Sequence, residues 1–264
     1  MFSAKVVIFL ASLAICYGAP NAKLSSKKLK ISPGVDVKIE DYPFVASVQW
    51  CNRIYGICEN ICGGVIVNEN WILTSASCAF EARKVIVGES DLNAKHKVIV
   101  NVAAKYKHPN FTNKFGPNDL VLLKLSEALT FNDKVQPAKL PTKGQEFSGT
   151  AVVTGYGDPY LLDLNNLKAV PNVTLISNAE CNKAIKQLNL DKDVSLDDDS
   201  NICTLNEAAT TCLGDSGGPL SQDGTVIGTV TWYVDPCYLS RGPNVYTKLS
   251  NFVEWIEKTI AKNS

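Results

Sequence analysis

The chain has 264 residues, 45% of them hydrophobic, with 26 basic and 26 acidic side chains and nine cysteines. That length and apolar content suit two packed barrels of roughly 100 to 120 residues each. Residues 1–30 hold five lysines and no acid, so the remainder carries 21 basic against 26 acidic residues, which argues against a nucleic-acid or heparin partner.

In chain order, residues 1–18 place Lys5 before an apolar run from Val6 to Cys16, followed by the small Gly18 and Ala19. This is the pattern of a secretory signal peptide, and the run is too short to span a bilayer. The expectation is an exported, extracellular chain without a membrane anchor. Residues 19–30 are short, polar and lysine-rich, ending Lys27-Lys28-Leu29-Lys30. They read as a propeptide cut between Lys30 and Ile31, or as a basic leader cut anywhere in the lysine cluster.

Residues 31–264 form the expected folded domain. Short alternating or apolar runs at 44–50, 97–102, 151–154 and 225–232 are separated by Gly, Pro, Asn and Asp, which argues for antiparallel barrels or sandwiches. Only the end reads as helix: Phe252, Trp255, Ile256 and Ile260 fall at helical spacing, with Ser250 or Asn251 available as cap.

Loss of Cys16 with the signal leaves eight cysteines, an even number that suits an oxidising compartment, and all are expected to pair. A metal site at Cys51-x6-Cys58-x3-Cys62 is the competing reading, but zinc-type spacing and accompanying histidines are absent. No metal or cofactor is expected. Asp191, Asp193, Asp197, Asp198 and Asp199 make an acidic stretch that reads as a solvated loop, a partner-binding surface or a calcium site, although their order does not match an EF-hand. Asn110-Phe111-Thr112 and Asn172-Val173-Thr174 are glycosylation acceptors in an exported chain.

Three segments carry chemistry. They are Trp71-Ile72-Leu73-Thr74-Ser75-Ala76-Ser77-Cys78, Asn118-Asp119-Leu120-Val121-Leu122-Leu123-Lys124-Leu125, and Gly214-Asp215-Ser216-Gly217-Gly218-Pro219. The first resembles the Trp-Val-Leu-Thr-Ala-Ala-His-Cys signature of trypsin/chymotrypsin-like serine proteases, the second that family's buried-aspartate strand, and the third its nucleophile loop. The resemblance extends over residues 31–261. It implies an all-β fold of two packed six-stranded antiparallel barrels with a C-terminal helix. It also implies the bridges Cys62–Cys78, Cys181–Cys203 and Cys212–Cys237, which leaves Cys51 and Cys58 to pair with each other.

By the same resemblance Ser216 is the nucleophile-like residue, Asp119 the carboxylate behind the base, and Gly214 and Ser216 the donors of an oxyanion hole. Ser77 stands where the family has its catalytic histidine. A serine hydroxyl needs a base within about 3 Å, and Ser77 is too weak and too short for that task. His96 and His108, the two histidines, read as solvated rather than as relocated bases. Asp119, lacking its usual partner, is expected to be satisfied by Ser77 or Thr231.

The specificity pocket implied by the resemblance has Thr210 at its base, Thr231-Trp232-Tyr233 along one wall and Asn244 on the other. Side chains at Tyr233 and Asn244 replace glycines of the family, and Thr210 offers no charge to Lys or Arg. A filled pocket and a reshaped, small-residue specificity are the two readings. Cleavage after Lys30 is implied to free Ile31 to insert beside Asp215, although Ser32-Pro33 replaces the usual Val-Gly.

The lost histidine and filled pocket are similar to the inactivated serine protease paralogues of the scabies mite, relatives of the group 3 mite allergens. That resemblance implies a pseudoprotease secreted to bind host extracellular proteins, complement components among them. A slow or altered-specificity endopeptidase and an inert product of gene duplication are the alternatives.

Overall fold

The computed structural model describes residues 34–52, 54–112, 117–157, 165–188, 196, 199–205, 211–233, 237 and 242–264. The expected signal peptide and propeptide, with Lys30 and Ile31, lie outside the described residues. So do Thr210, Asp191, Asp193, Asp197 and Asp198.

A two-residue strand β1 (Val35–Asp36) leads into the first barrel, made of β2 (Val45–Cys51), β3 (Cys58–Asn68), β4 (Trp71–Thr74), β5 (Lys84–Val87), β6 (Val98–Lys107) and β7 (Val121–Leu125). These close in the order β2-β3-β4-β7-β6-β5. The second barrel comprises β8 (Thr150–Gly155), β9 (Lys168–Ile176), β10 (Asn201–Leu205), β11 (Pro219–Gln222), β12 (Thr225–Tyr233) and β13 (Asn244–Lys248). Its order is β9-β10-β13-β12-β11-β8, closed by the β8–β9 pairing, with β1 added outside β9. This is the all-β pair of six-stranded antiparallel barrels expected from the sequence.

Strand periodicity explains how the barrels meet. Ile72 of β4 and Val121 and Leu123 of β7 point into the first barrel with Val48, Val85 and Val100. Their neighbours Trp71, Leu73 and Leu122 point the other way and join Val226, Leu249, Phe252 and Ile256. Every residue of β4 is therefore buried, one face as barrel interior and the other as inter-barrel core. A one-residue slip would exchange the two sets. Ala151, Val153, Leu220, Ile227, Val230 and Tyr246 fill the second barrel.

The C-terminal helix α2 (Val253–Asn263) lays Phe252 and Ile256 on this inter-barrel core. Neither Ser250 nor Asn251 caps it: a 3-10 turn over Leu249–Asn251 displaces the helix start to Val253, and Asn251 Nδ2 instead donates to the Asp199 carbonyl at 2.5 Å. A second helix, α1 (Asn178–Gln187), is absent from the sequence reading. Its signal was Ser177-Asn178-Ala179-Glu180, a capping box in which Ser177 Oγ accepts from the Glu180 amide and the Glu180 carboxylate accepts from the Ser177 amide.

The disulfides are Cys51–Cys58, Cys62–Cys78, Cys181–Cys203 and Cys212–Cys237, the four pairings expected from the sequence. Both sequon asparagines, Asn110 and Asn172, are exposed. Among the described residues no group of three or more His, Cys, Asp or Glu is placed to hold a metal ion. No helix among them is long and apolar enough to cross a membrane.

His96 is exposed, as expected, but His108 is not simply solvated. Its ring packs edge-on against Phe252 and Trp255, at 5.3 and 5.0 Å between centroids, because the turn after β6 meets the apolar face of α2. Burial holds its pKa below the ordinary histidine value, so folding favours the neutral ring. The stability this contributes is present above the ordinary pKa and is lost as pH falls through the depressed one. Between about pH 7 and pH 5 the urea midpoint of the native chain should therefore fall relative to that of His108→Phe, which keeps the Asp119 titration and lacks the imidazole. Parallel pH profiles for the two proteins would show that His108 contributes nothing to the fall.

Candidate functional site

The three chemistry-bearing segments converge where the barrels touch. β4 ends at Thr74, and a 3-10 turn over Ala76–Cys78, bridged to β3 through Cys62–Cys78, presents Ser77 to solvent. Asp119 lies just before β7, after Asn118 turns the chain with a φ of 64°. Ser216 sits half-buried in the turn before β11.

That turn is fastened across the barrel interface by backbone contacts. The Gly63 amide donates to the Ser216 carbonyl at 2.9 Å, and Thr74 Oγ1 donates to the Gly63 carbonyl at 2.7 Å. A Cβ on Gly63 would stand 2.6 Å from the Gly218 Cα, so only glycine permits the approach. Within the turn, the amides of Asp215, Gly217 and Gly218 donate to Cys212, Val230 and Asp215 carbonyls. The Gly214 and Ser216 amides have no acceptor among the described residues.

Asp119 is fully buried. Its Oδ1 accepts from the Ser77 amide at 2.9 Å, and its Oδ2 lies 3.3 Å from the Ser77 hydroxyl. Burial pushes its pKa up to about 6, while the Ser77 amide and hydroxyl, and to a lesser extent the Ala76 amide and Ser75 hydroxyl, restrain the rise. Of the two partners expected from the sequence, Ser77 is present and Thr231 is not. Thr231 Oγ1 instead pairs with Thr247 Oγ1 at 2.9 Å, and Thr247 donates to the main-chain carbonyl of Asp119 at 3.4 Å. The threonine hydroxyl is short and its strand neighbour intercepts it. Neither histidine hydrogen-bonds to Asp119 or Ser216; His108 is held against α2 and His96 is exposed in its loop.

Asp215 is buried beside the same turn, accepting from the Gly157 amide on Oδ1 and the Cys212 amide on Oδ2, both at 2.9 Å. Gly155 and Gly157 make room for its carboxylate, which a Cβ on either would strike. Of the residues expected to line a specificity pocket, Thr231 and Trp232 are buried, Tyr233 is half-buried, and Tyr233 pairs with Asn244 across β12 and β13. Asn244 is fully buried, and its Oδ1 accepts from both the amide and the hydroxyl of Thr211, at 3.1 and 2.7 Å. Its side chain thereby fixes the segment that follows Thr210.

Sequence reasoning missed a buried polar relay. Gln49 Nε2 donates to Ser47 Oγ at 2.5 Å, Ser47 Oγ to Asn60 Oδ1 at 2.6 Å, and Asn60 Nδ2 to the Gly214 carbonyl at 3.4 Å. The only signal was a pair of polar residues, Ser47 and Gln49, on one face of an otherwise apolar strand.

With this geometry in place, residues 31–256 match the family described as Trypsin. The chain belongs to the trypsin family. It is 33% identical over 234 residues to kallikrein 1-related peptidase b3 of Mus musculus, covering 82% of this chain and 87% of that protein. It is 32% identical over 239 residues to kallikrein-7 of Homo sapiens, covering 89% and 88% respectively. Within a trypsin-family frame, the Ser77–Asp119 contact is the feature with the clearest energetic consequence.

A carboxyl whose pKa is raised on folding contributes stability that is fully present below its ordinary pKa and is lost as pH rises through about 6. At pH 8 the buried charge of Asp119 is therefore a cost. Asp119→Asn keeps an acceptor for the Ser77 amide and removes the charge, so it should stabilise the protein at pH 8 by on the order of 1–3 kcal/mol. The gain should vanish near pH 4. Urea denaturation at the two pH values checks this, and a variant less stable than the native chain at pH 8 would contradict it.

Proposed function

We propose that this trypsin-family protein is exported, does not hydrolyse peptides, and acts by binding proteins of a host. The observation that carries the reading is that Ser77 engages both oxygens of Asp119. A hydroxyl takes no proton near neutral pH, and the serine side chain is too short to join Asp119 to Ser216. Ser77, Asp119 and Ser216 are then a triad remnant without its base. In subtilisin, loss of the corresponding histidine lowers turnover by about six orders of magnitude.

The substrate pocket supports the same reading. Thr210 carries no charge to attract Lys or Arg, Asn244 fills one wall, and Tyr233 stands where a glycine would let a substrate side chain pass. Four disulfides and the signal-like residues 1–18 support secretion, and the exposed Asn110 and Asn172 support glycosylation. Release of Ile31 by cleavage after Lys30, with insertion beside Asp215, is part of the proposal. The pattern of losses resembles the scabies mite paralogues, and on that resemblance the partners are host extracellular proteins, complement components first among them.

One observation favours a second reading, an endopeptidase of altered specificity: the unspent amides of Gly214 and Ser216 remain available as an oxyanion hole. Incubation with an organophosphonate followed by mass spectrometry separates the two. No adduct should form at Ser216, and saturable binding to purified complement components should accompany this silence. Rapid stoichiometric labelling at Ser216 would overturn the inactive reading.

Restoring the base alone should not restore the enzyme. Ser77→His supplies a proton acceptor beside Asp119, yet Tyr233 still displaces the substrate, and misplacement of about 1 Å costs about a hundredfold. Ser77→His should be nearly inactive on extended peptides. Ser77→His combined with Tyr233→Gly should be measurably faster and should favour small or medium apolar residues over Lys and Arg. Ordinary protease efficiency from Ser77→His alone would show that Tyr233 does not block the pocket.

A further inference from the structure

The Cys51–Cys58 hairpin holds large apolar side chains in water. Ile54 is 84% exposed and Tyr55 is 74% exposed. This exposure belongs to a constrained loop: the disulfide closes it, the Asn52 amide donates to the Ile57 carbonyl at 2.8 Å, and the Gly56 amide donates back to the Asn52 carbonyl at 2.9 Å. Asn52 Oδ1 also accepts from the Ile54 and Tyr55 amides, at 2.8 and 3.2 Å. The Asn52, Ile54, Tyr55 and Gly56 amides are all satisfied within the loop, so collapse onto the barrel would break these bonds to bury the apolar side chains.

Phe80, 81% exposed, stands on the turn that follows Ser77 and Cys78. Lys105 Nζ reaches across to the carbonyls of Ala79 and Phe80, at 2.5 and 3.5 Å. Arg83 follows Phe80 by three residues, and its amide donates to the Gln49 carbonyl at 2.9 Å, two residues before Cys51 in the strand that runs into the hairpin. Lys105, Lys107 and Arg83 are close enough that, after burial, the like charges of Arg83 and Lys107 lower the Lys105 pKa. None of the three forms an ion pair among the described residues, and Glu59 and Glu81, the acids on the same segments, are not paired with them.

We propose that Ile54, Tyr55 and Phe80, with Arg83, Lys105 and Lys107 beside them, form a docking surface for a polypeptide segment of a partner protein that carries carboxylates next to aromatic or aliphatic side chains. The inference rests on the binding role proposed above and gives it a surface. Charge complementarity selects the occupant. A cluster of cations with no ion pairs among the described residues, Lys107 lying 5.9 Å over the Phe111 ring and Lys105 held by carbonyls, on a chain with a net excess of acids beyond residue 30 calls for carboxylates, and the bare apolar groups beside it call for side chains that a polysaccharide or nucleic acid does not offer. Rigidity of the hairpin lowers the ordering cost of binding. The surface uses none of Asp119, Ser216 or the pocket residues, so it is independent of catalysis.

The test uses the mature protein and a fluorescein-labelled peptide alternating Glu with Phe and Leu, read by fluorescence anisotropy. Controls are the same peptide with Lys for Glu, the same peptide with Ser for Phe and Leu, and heparin. The acidic-apolar peptide should bind, each control should bind at least about tenfold more weakly, and affinity should fall with salt. Ile54→Ser, at a solvent-exposed tip that the fold does not need, and Lys105→Glu should each weaken peptide binding by about tenfold with unchanged near-UV circular dichroism. Ser216→Ala should bind as the native chain does.

Equal peptide binding by Ile54→Ser and Lys105→Glu, or preference for heparin, would overturn the surface. Plasma proteins captured equally by the native chain and both variants would overturn the surface while leaving the binding role intact. Peptide binding at this surface with no saturable host partner would support the surface and overturn the host-binding role.

Discussion

The contact on which the site depends is the meeting of two backbones at Gly63 and Gly218. One hydrogen bond, donated by the Gly63 amide to the Ser216 carbonyl, ties the first barrel to the turn that carries Ser216, and the absence of a Cβ at Gly63 lets the two backbone segments touch. Thr74 fixes the same carbonyl of Gly63, so β3, β4 and the Ser216 turn share one junction. Every other feature of the site hangs from it. Ser77 follows Thr74 within a single turn, the Asn60 relay reaches Gly214 from the same strand as Gly63, and Asp119 leads into β7, which pairs with β4.

A buried carboxylate in this setting is a liability that the fold contains rather than removes. Burial raises the Asp119 pKa, and the Ser77 amide and hydroxyl recover only part of the lost hydration. A backbone amide costs nothing in side-chain ordering, and it arrives because the 3-10 turn points it at Oδ1. The site is thus compatible with a serine at position 77: one donor comes from the main chain whatever the side chain is, and the hydroxyl supplies the second.

Asp215 shows the opposite solution. Two amides, from Gly157 and Cys212, face its two oxygens, and two glycines clear the space around it. The nucleophile-like loop is therefore braced at Asp215, at Gly214 through Asn60, and at Ser216 through Gly63. Bracing of this kind holds a loop in shape whether or not a proton is ever transferred through it.

Much of the molecule was legible in its residues. Alternating apolar runs define a barrel strand because side chains alternate across a pleat, and the segments around Ser77, Asp119 and Ser216 are contiguous enough to be read as motifs. The cysteine pairings were reached through resemblance, since eight cysteines by themselves allow many connectivities. Helix α1 is signalled by the Ser177 to Glu180 capping box but not by periodicity, because its apolar stripe is thin, with only Cys181 and Ile185 buried. What the sequence did not contain was the partner of each polar group. That Thr231 turns to Thr247 instead of Asp119, that Asn60 reaches Gly214 across 154 positions, and that His108 lies against α2 are facts about strands and turns brought together from distant parts of the chain. Local pattern decides which face of an element is apolar; only closure of the two barrels decides which donor meets which acceptor, because a hydrogen bond depends on separations of a few tenths of an ångström that no spacing of residues encodes.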